Sequence, residues 1–158
     1  AEKIIGIDVK AERLRLAESL GLFDCVLAAG AENVEQVREL TGGRGVERAV
    51  ECSANASARA VAIRATRKWG KIVMLGEGGG VEFQPSPDII HDQKSIHGSW
   101  VTSTWLMEEL VERLVRWNLH PADLITHRFA LADVGDAYAL MSSGRCGKVA
   151  VCFDEELK

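Results

Sequence analysis

This sequence has no long hydrophobic run, no excess of positive charge, no closely spaced cysteine pair and no complete catalytic motif. Each absence removes a class of function. The longest apolar runs are strand-sized, so a membrane span of about 20 apolar residues cannot be drawn. No signal-peptide pattern opens the chain, and a cytoplasmic location is the expectation. Nineteen Lys and Arg stand against 23 Asp and Glu, for a net charge of −4. No basic cluster breaks that balance, which argues against nucleic acid and anionic membrane as partners. The four cysteines, Cys25, Cys52, Cys146 and Cys152, show no C-x-x-C spacing, and each lies in or beside an apolar strand-like segment. They read as small buried side chains with reduced thiols, not as zinc ligands or disulfides. The chain also lacks a G-x-S-x-G elbow, a Walker loop and an H-E-x-x-H pair. No internal repeat or low-complexity segment appears.

What is present is ordinary for a globular protein. The chain has 158 residues, 47% hydrophobic and 27% charged, enough for one domain with a core and too apolar for disorder. Up to about Val101, short β-rich runs alternate with helical periodicity. The pattern predicts a strand at Ile4–Ile7, a helix from Lys10 to Leu20 stopped by Gly21, and a strand at Asp24–Ala28. A short helix through Val34, Val37 and Leu40 then ends at Gly42-Gly43. A strand at Val46–Glu51 and an Ala-rich helix from Asn55 to about Lys68 follow. Lys71–Leu75 and Ser95–Val101 complete the set. Apolar runs alternating with helices imply parallel strands covered on both faces, a doubly wound α/β sheet. After Thr102 the rhythm changes. Thr104 is placed to cap a helix with the stripe Met107, Leu110, Val111, Leu114 and Val115. A strand at Ile125–Leu131, a helix at Asp133–Met141 and a strand at Val149–Phe153 follow.

Asp8 is the most informative residue. A strand ending in an acid, followed at once by a helix, is how the second strand of a dinucleotide-binding unit ends, its carboxylate facing the adenosine ribose hydroxyls. The plain alternative is a helix cap. Arg13 lies one turn into the helix, able to flank the adenosine. The charge of Asp8 favours NAD, because the 2′-phosphate of NADP would face it. The Gly-rich phosphate loop of such a unit lies about 20 residues before the acid. Only seven residues precede Asp8, so the sequence starts one strand too late to contain it. Gly76-Glu77-Gly78-Gly79-Gly80 closes the fourth strand of this pattern where α/β sheets bind ligands. Val81 stands where a phosphate fingerprint needs its last glycine, and a turn leading to Pro85 and Pro87 explains the glycines equally well. His91, Asp92 and His97 fit no common ligand spacing, and His120 and His127 stand apart.

Taken together, the segments resemble the C-terminal half of the zinc-dependent medium-chain dehydrogenases, the alcohol, polyol and threonine dehydrogenase group. The residues carrying the likeness are Ile5-Gly6-Ile7-Asp8 with Arg13-Leu14 and Ala17; Ala49-Val50-Glu51-Cys52; Ala65-Thr66-Arg67 with Gly70-Lys71-Ile72-Val73; Leu75-Gly76; Ile96-His97-Gly98; Leu124-Ile125-Thr126-His127-Arg128-Phe129; and Gly147-Lys148-Val149. The resemblance implies that Asp8 and Arg13 hold the adenosine ribose and that Cys52 and Ser53 line the adenine side. Leu75, Gly76 and Glu77 would border the nicotinamide with backbone groups, and Val101 would approach it from the other side. Lys148 matches a basic position near the cofactor pyrophosphate, and Trp100 and its neighbours are placed to reach a substrate pocket. Residues 1–102 would be a partial Rossmann domain lacking its first strand, and 103–158 a linking helix and part of the catalytic domain. The zinc ligands and the Gly-rich loop would lie upstream, leaving no catalytic or metal residue to assign and an isolated chain without activity.

Two consequences follow. The absent first strand is central in the order 3-2-1-4-5-6, so Ile4–Ile7 and Val46–Glu51 would each keep an open edge. They would pair directly, recruit a strand from another copy, or leave a poor folder. Homo-oligomerisation through Ser95–Val101 is a further expectation. The leading reading is the cofactor-binding portion of an NAD- and zinc-dependent alcohol or polyol dehydrogenase. Two others stand beside it: a non-catalytic α/β nucleotide-binding or assembly module of that ancestry, and a zinc-free quinone-reductase-type relative using NADPH, against which Asp8 argues.

Overall fold

The structure is a computed structural model in which residues 1–153 are described. Its strands form parallel sheets in the orders β1-β2, β3-β4-β5 and β6-β7, with the elements named below. Parallel neighbours need a crossover of a dozen or more residues, and a helix provides it between β1 and β2, between β3 and β4, and between β6 and β7. The α/β class and the parallel pairing read from the sequence are both observed. The chain divides into two compact units. One combines Ala1–Ala28 with the segment from Ser103 onward, and the other is Ala29–Thr102. One limit coincides with the change of rhythm after Thr102; the other falls after β2.

In the first unit, β1 (Ile5–Asp8) pairs with β2 (Cys25–Ala28), Ile5 opposite Cys25 and Asp8 opposite Ala28. Between them α1 (Ala11–Leu20) ends on Gly21, whose N–H donates to the carbonyl of Glu18. Later in the same unit come α4 (Thr104–Trp117), β6 (Ile125–Ala130), α5 (Val134–Ser143) and β7 (Lys148–Cys152). β6 and β7 pair in parallel, and Ala137 and Cys146 are buried. The helix after Thr102 forms, but Ser103 occupies its cap position and Thr104 is its first residue. Its apolar stripe is amphipathic as expected, yet Met107, Leu110, Val111 and Val115 are exposed, as are Trp105 and Trp117.

The second unit is built on β3 (Val46–Glu51), β4 (Thr66–Met74) and β5 (Ser95–Gly98), with α2 (Asn33–Leu40) and α3 (Ala56–Ala65). Val37, Ile63, Ala65 and Ile72 form its core, Ile63 and Ile72 with no exposed surface. α3 starts where the Asn55 side chain accepts the N–H of Ser57 at 2.9 Å and of Ala58 at 3.4 Å, an N-cap that the sequence signals. It ends at Ala65, earlier than the expected Lys68, because the chain turns extended at Thr66 and joins β3. The register then slips: Val46 faces Thr66, while Arg48 faces Lys71. Trp69, in the left-handed region at φ 61°, lies inside this irregularity. The expected fifth strand is also shorter, stopping at Gly98. Between β4 and β5, the segment expected to be a turn contains a single π-helical turn, Ser86–Ile90. Asp88 anchors it by accepting from Gln84 N at 2.9 Å and pairing with Arg64 at 3.4 Å. Lys94 is buried and donates to the Ile63 carbonyl at 3.0 Å, satisfying the last turn of α3.

Within these sheets β1 has β2 as its strand neighbour, and β3 stands at one end of its sheet. Both therefore carry an edge among the described residues. The four thiols are free, but of the four only Cys146 is buried as expected: Cys25 and Cys152 are half-buried, and Cys52 is exposed because it lies just beyond the end of β3.

Candidate cofactor site

Ligands of open α/β sheets sit beyond the carboxyl ends of parallel strands. In the second unit three such ends lie side by side, since Glu51 is opposite Met74 and Met74 is opposite Gly98. The pairing continues one step past the strands: Leu75 N donates to the Glu51 carbonyl at 2.8 Å, and Ser99 N to that of Met74 at 3.1 Å. The residues expected to line the adenine side (Cys52, Ser53), those expected at the nicotinamide (Leu75, Gly76, Glu77) and Val101 thus emerge from adjacent strands. Val101 is 78% exposed. Its backbone is left-handed at φ 44°, an outlier for a β-branched residue.

The turn after β3 is held from below by Glu51, which is only 4% exposed. Its Oε1 accepts from Ser53 N at 2.6 Å and also from Ser53 Oγ, and its Oε2 accepts from Ala54 N at 3.3 Å. Arg59 Nε stands 3.5 Å from Oε2, an ion pair without hydrogen-bond geometry. Burial pushes the Glu51 carboxyl up, but the bonds from Ser53 and Ala54 and the charge of Arg59 outweigh it and hold it below the ordinary glutamate range. Burial, and then the Glu51 charge, push the neighbouring Cys52 thiol up, so it is a poor nucleophile.

The two loops touch through their backbones. A Cβ on Gly76 would lie 2.2 Å from Ala54 N, and one on Gly79 would lie 2.2 Å from Ala54 O. Gly79 is also left-handed, at φ 62°. Only a chain without side chains at these points allows the approach. Ala54 itself sits at φ 61°, a conformation that costs a non-glycine residue energy.

In the first unit Asp8 does two things. Its Oδ1 accepts from Lys10 N at 2.8 Å, just ahead of α1, and its Oδ2 lies 3.7 Å from Arg13 Nη1. The N-cap position of α1 is Lys10, which makes no side-chain cap bond, so Asp8 is not the helix cap that its position suggested. Lys148 opens β7, in a different sheet from Asp8, and is exposed. Glu51, Ala54 and Arg59 were not singled out as site residues from the sequence. An acid ending a Val-rich strand, with an arginine eight positions on in an Ala-rich helix, was the available signal. Among the described residues no three His, Cys, Asp or Glu side chains gather as a metal would require. None of their helices is long and apolar enough to cross a membrane.

A family model described as zinc-binding dehydrogenase matches residues 1–117. The chain is 47% identical over 156 residues to an uncharacterized zinc-type alcohol dehydrogenase-like protein, YphC, of Escherichia coli, covering 98% of this chain and 44% of that protein. It is 31% identical to the L-threonine 3-dehydrogenase of Symbiobacterium thermophilum, covering 98% of this chain and 45% of the relative. Among solved structures, an alcohol dehydrogenase from Thermotoga maritima matches with a TM-score of 0.81 at 27% identity, covering 94% of this chain and 42% of that one. The chain thus spans less than half the length of the relatives it matches. On the match to the family model, this chain belongs to the zinc-binding dehydrogenase family.

Proposed function

We propose that this chain is the cofactor-binding portion of an NAD-dependent, zinc-containing alcohol or polyol dehydrogenase, and that it is inactive by itself. The observation that carries the reading is the row of three parallel strand ends, Glu51, Met74 and Gly98, from which the segments bearing Ser53, Gly76 and Val101 leave. Its glycine-bare backbone fits a flat cofactor at close range. Cys52 and Ser53 would border the adenine, while Leu75, Gly76 and Glu77 would offer backbone groups to the nicotinamide carboxamide, opposite Val101. Asp8 and Arg13 would take the adenosine ribose, and Lys148 the pyrophosphate. When bound, NAD supplies the hydride acceptor for an alcohol substrate. The zinc would be held outside the described residues. Residues 1–102 would act as the dinucleotide-binding part and 103–158 as the link to the catalytic part. We further propose a cytoplasmic location and a homo-oligomer joined through the free edge of β5.

Calorimetric titration with NAD and NADP, beside an absorbance assay of NAD reduction with alcohols, polyols and L-threonine, tests the reading. NAD binding in preference to NADP, without turnover, is the expected result. Preference for NADP, or no nucleotide binding, would overturn the cofactor reading. Turnover by the chain alone would overturn its proposed inactivity.

A further inference from the structure

Glu51 and Arg59 lie beneath the proposed cofactor contacts, and together they grip both loops that would make them. The Glu51 carboxylate holds Ser53 and Ala54, after β3. Arg59 Nη2 donates to the Gly76 carbonyl at 2.7 Å, and Nη1 to that of Gly80 at 3.4 Å, after β4. A guanidinium is a rigid planar fork, so the two carbonyls it reaches are held together, and its Nε lies 3.5 Å from the acid that holds Ser53 and Ala54. The close backbone approach of Gly76 and Gly79 to Ala54 is a second link between the loops. A displacement of either loop must therefore be shared by the other.

We propose that Glu51 and Arg59 are positioning residues that couple the two halves of the cofactor site, so that an adenine nucleotide seated beside Ser53 orders the Gly76–Gly80 loop before any nicotinamide arrives. This rests on the placement of the adenine beside Cys52 and Ser53 proposed above. The group coupled to the adenine side would be the backbone that receives the carboxamide. Arg59 and Glu51 themselves would touch neither substrate nor cofactor.

The test is residue-resolved amide hydrogen exchange on the ¹⁵N-labelled chain with and without 5′-AMP, a probe that has no nicotinamide. AMP is expected to slow exchange at Ser53 and Ala54, and also at residues 77–80, by about threefold or more. In Arg59→Lys, which keeps the charge and loses the fork, protection at Ser53 and Ala54 should persist while that at residues 77–80 disappears. Glu51→Gln, which keeps the shape and loses the charge, should weaken the same transmission. The wild-type measurement is decisive even if neither variant folds. Protection at Ser53 and Ala54 with none at 77–80 overturns the coupling and leaves the cofactor reading intact. So does undiminished protection at 77–80 in both variants. No protection at Ser53 and Ala54 overturns the cofactor placement, and the coupling with it.

Discussion

Arg13 stands 3.7 Å from Asp8 across the first turn of α1, while the other oxygen of the same carboxylate accepts from Lys10 N just ahead of that turn. A ribose reaching Asp8 would thus meet a carboxylate already engaged at both oxygens, with a cation beside it. Asp8→Asn keeps an oxygen for Lys10 N and removes the charge. We predict that its preference for NAD over NADP narrows by on the order of fivefold to tenfold, the scale of one like-charge contact in a wet site. Paired calorimetric titrations measure the change. An unaltered preference would detach Asp8 from cofactor choice.

The strained turn at Ala54 makes a second prediction. A left-handed alanine costs roughly 1–2 kcal/mol, part of which glycine gives back as chain entropy. Ala54→Gly should therefore stabilise the chain by about 0.5–1 kcal/mol. Gly76→Ala should destabilise it by about 1–3 kcal/mol, because the new Cβ meets the backbone at Ala54 and not a side chain that can turn away. Urea midpoints of both variants decide the matter.

Acid should unfold the second unit through Glu51. Its carboxyl is held low in the folded chain, so the unfolded chain binds the proton more readily. The stabilisation is complete above the ordinary glutamate value, about 4.3, and is lost as pH falls through the lower folded value. Asp88 adds to the same slope: its bond from Gln84 N lowers its carboxyl, burial opposes this, and the side chains of Arg64 and Lys94 lower it further. Denaturation curves between pH 5 and pH 2 should show a flatter dependence for Glu51→Gln than for the parent chain.

Breaking the Glu51–Arg59 pair from the other side tests its structural weight. Arg59→Leu leaves the buried carboxylate without its cation, a change that typically costs about 3–5 kcal/mol. The same variant should leave the Asn55 cap of α3 intact, since that bond involves neither partner. A loss well under 1 kcal/mol in chemical denaturation would mean that solvent reaches the carboxylate.

Cys52 is exposed yet should react slowly with iodoacetamide at neutral pH, because burial of its sulfur and the adjacent Glu51 charge disfavour the thiolate. Glu51→Gln should quicken the reaction, but only in part, since burial is the larger cause. Mass spectrometry of timed alkylation gives the rate at this cysteine.

How much of this could be read in the sequence depended on whether the signal was local. The strand at Val46–Glu51 agrees residue for residue, because Gly42, Gly43 and Gly45 before it and the turn at residues 53–55 after it delimit it locally. Asn55 likewise announced the start of α3. The end of α3 did not show, since Thr66 leaves the helix to pair with Val46, a partner twenty residues away. The candidate site was legible as glycines and strand ends. Its support was not: Glu51 reads as any strand-end acid until Arg59 is brought beneath it by the turn of α3. The exposure of Cys52 and the left-handed backbone of Ala54 and Val101 depend on where each strand stops, which composition does not encode.

Trp69, Trp100, Trp105 and Trp117 are the four tryptophans of the chain, and all of them are exposed. Intrinsic fluorescence should therefore emit far to the red even in the folded state and shift little on unfolding, making it a weak reporter of the Ile63–Ile72 core. The same arrangement turns α4 into a built-in sensor. Trp105 and Trp117 lie near its two ends, so whatever covers the apolar stripe between them will announce itself as a blue shift without any label.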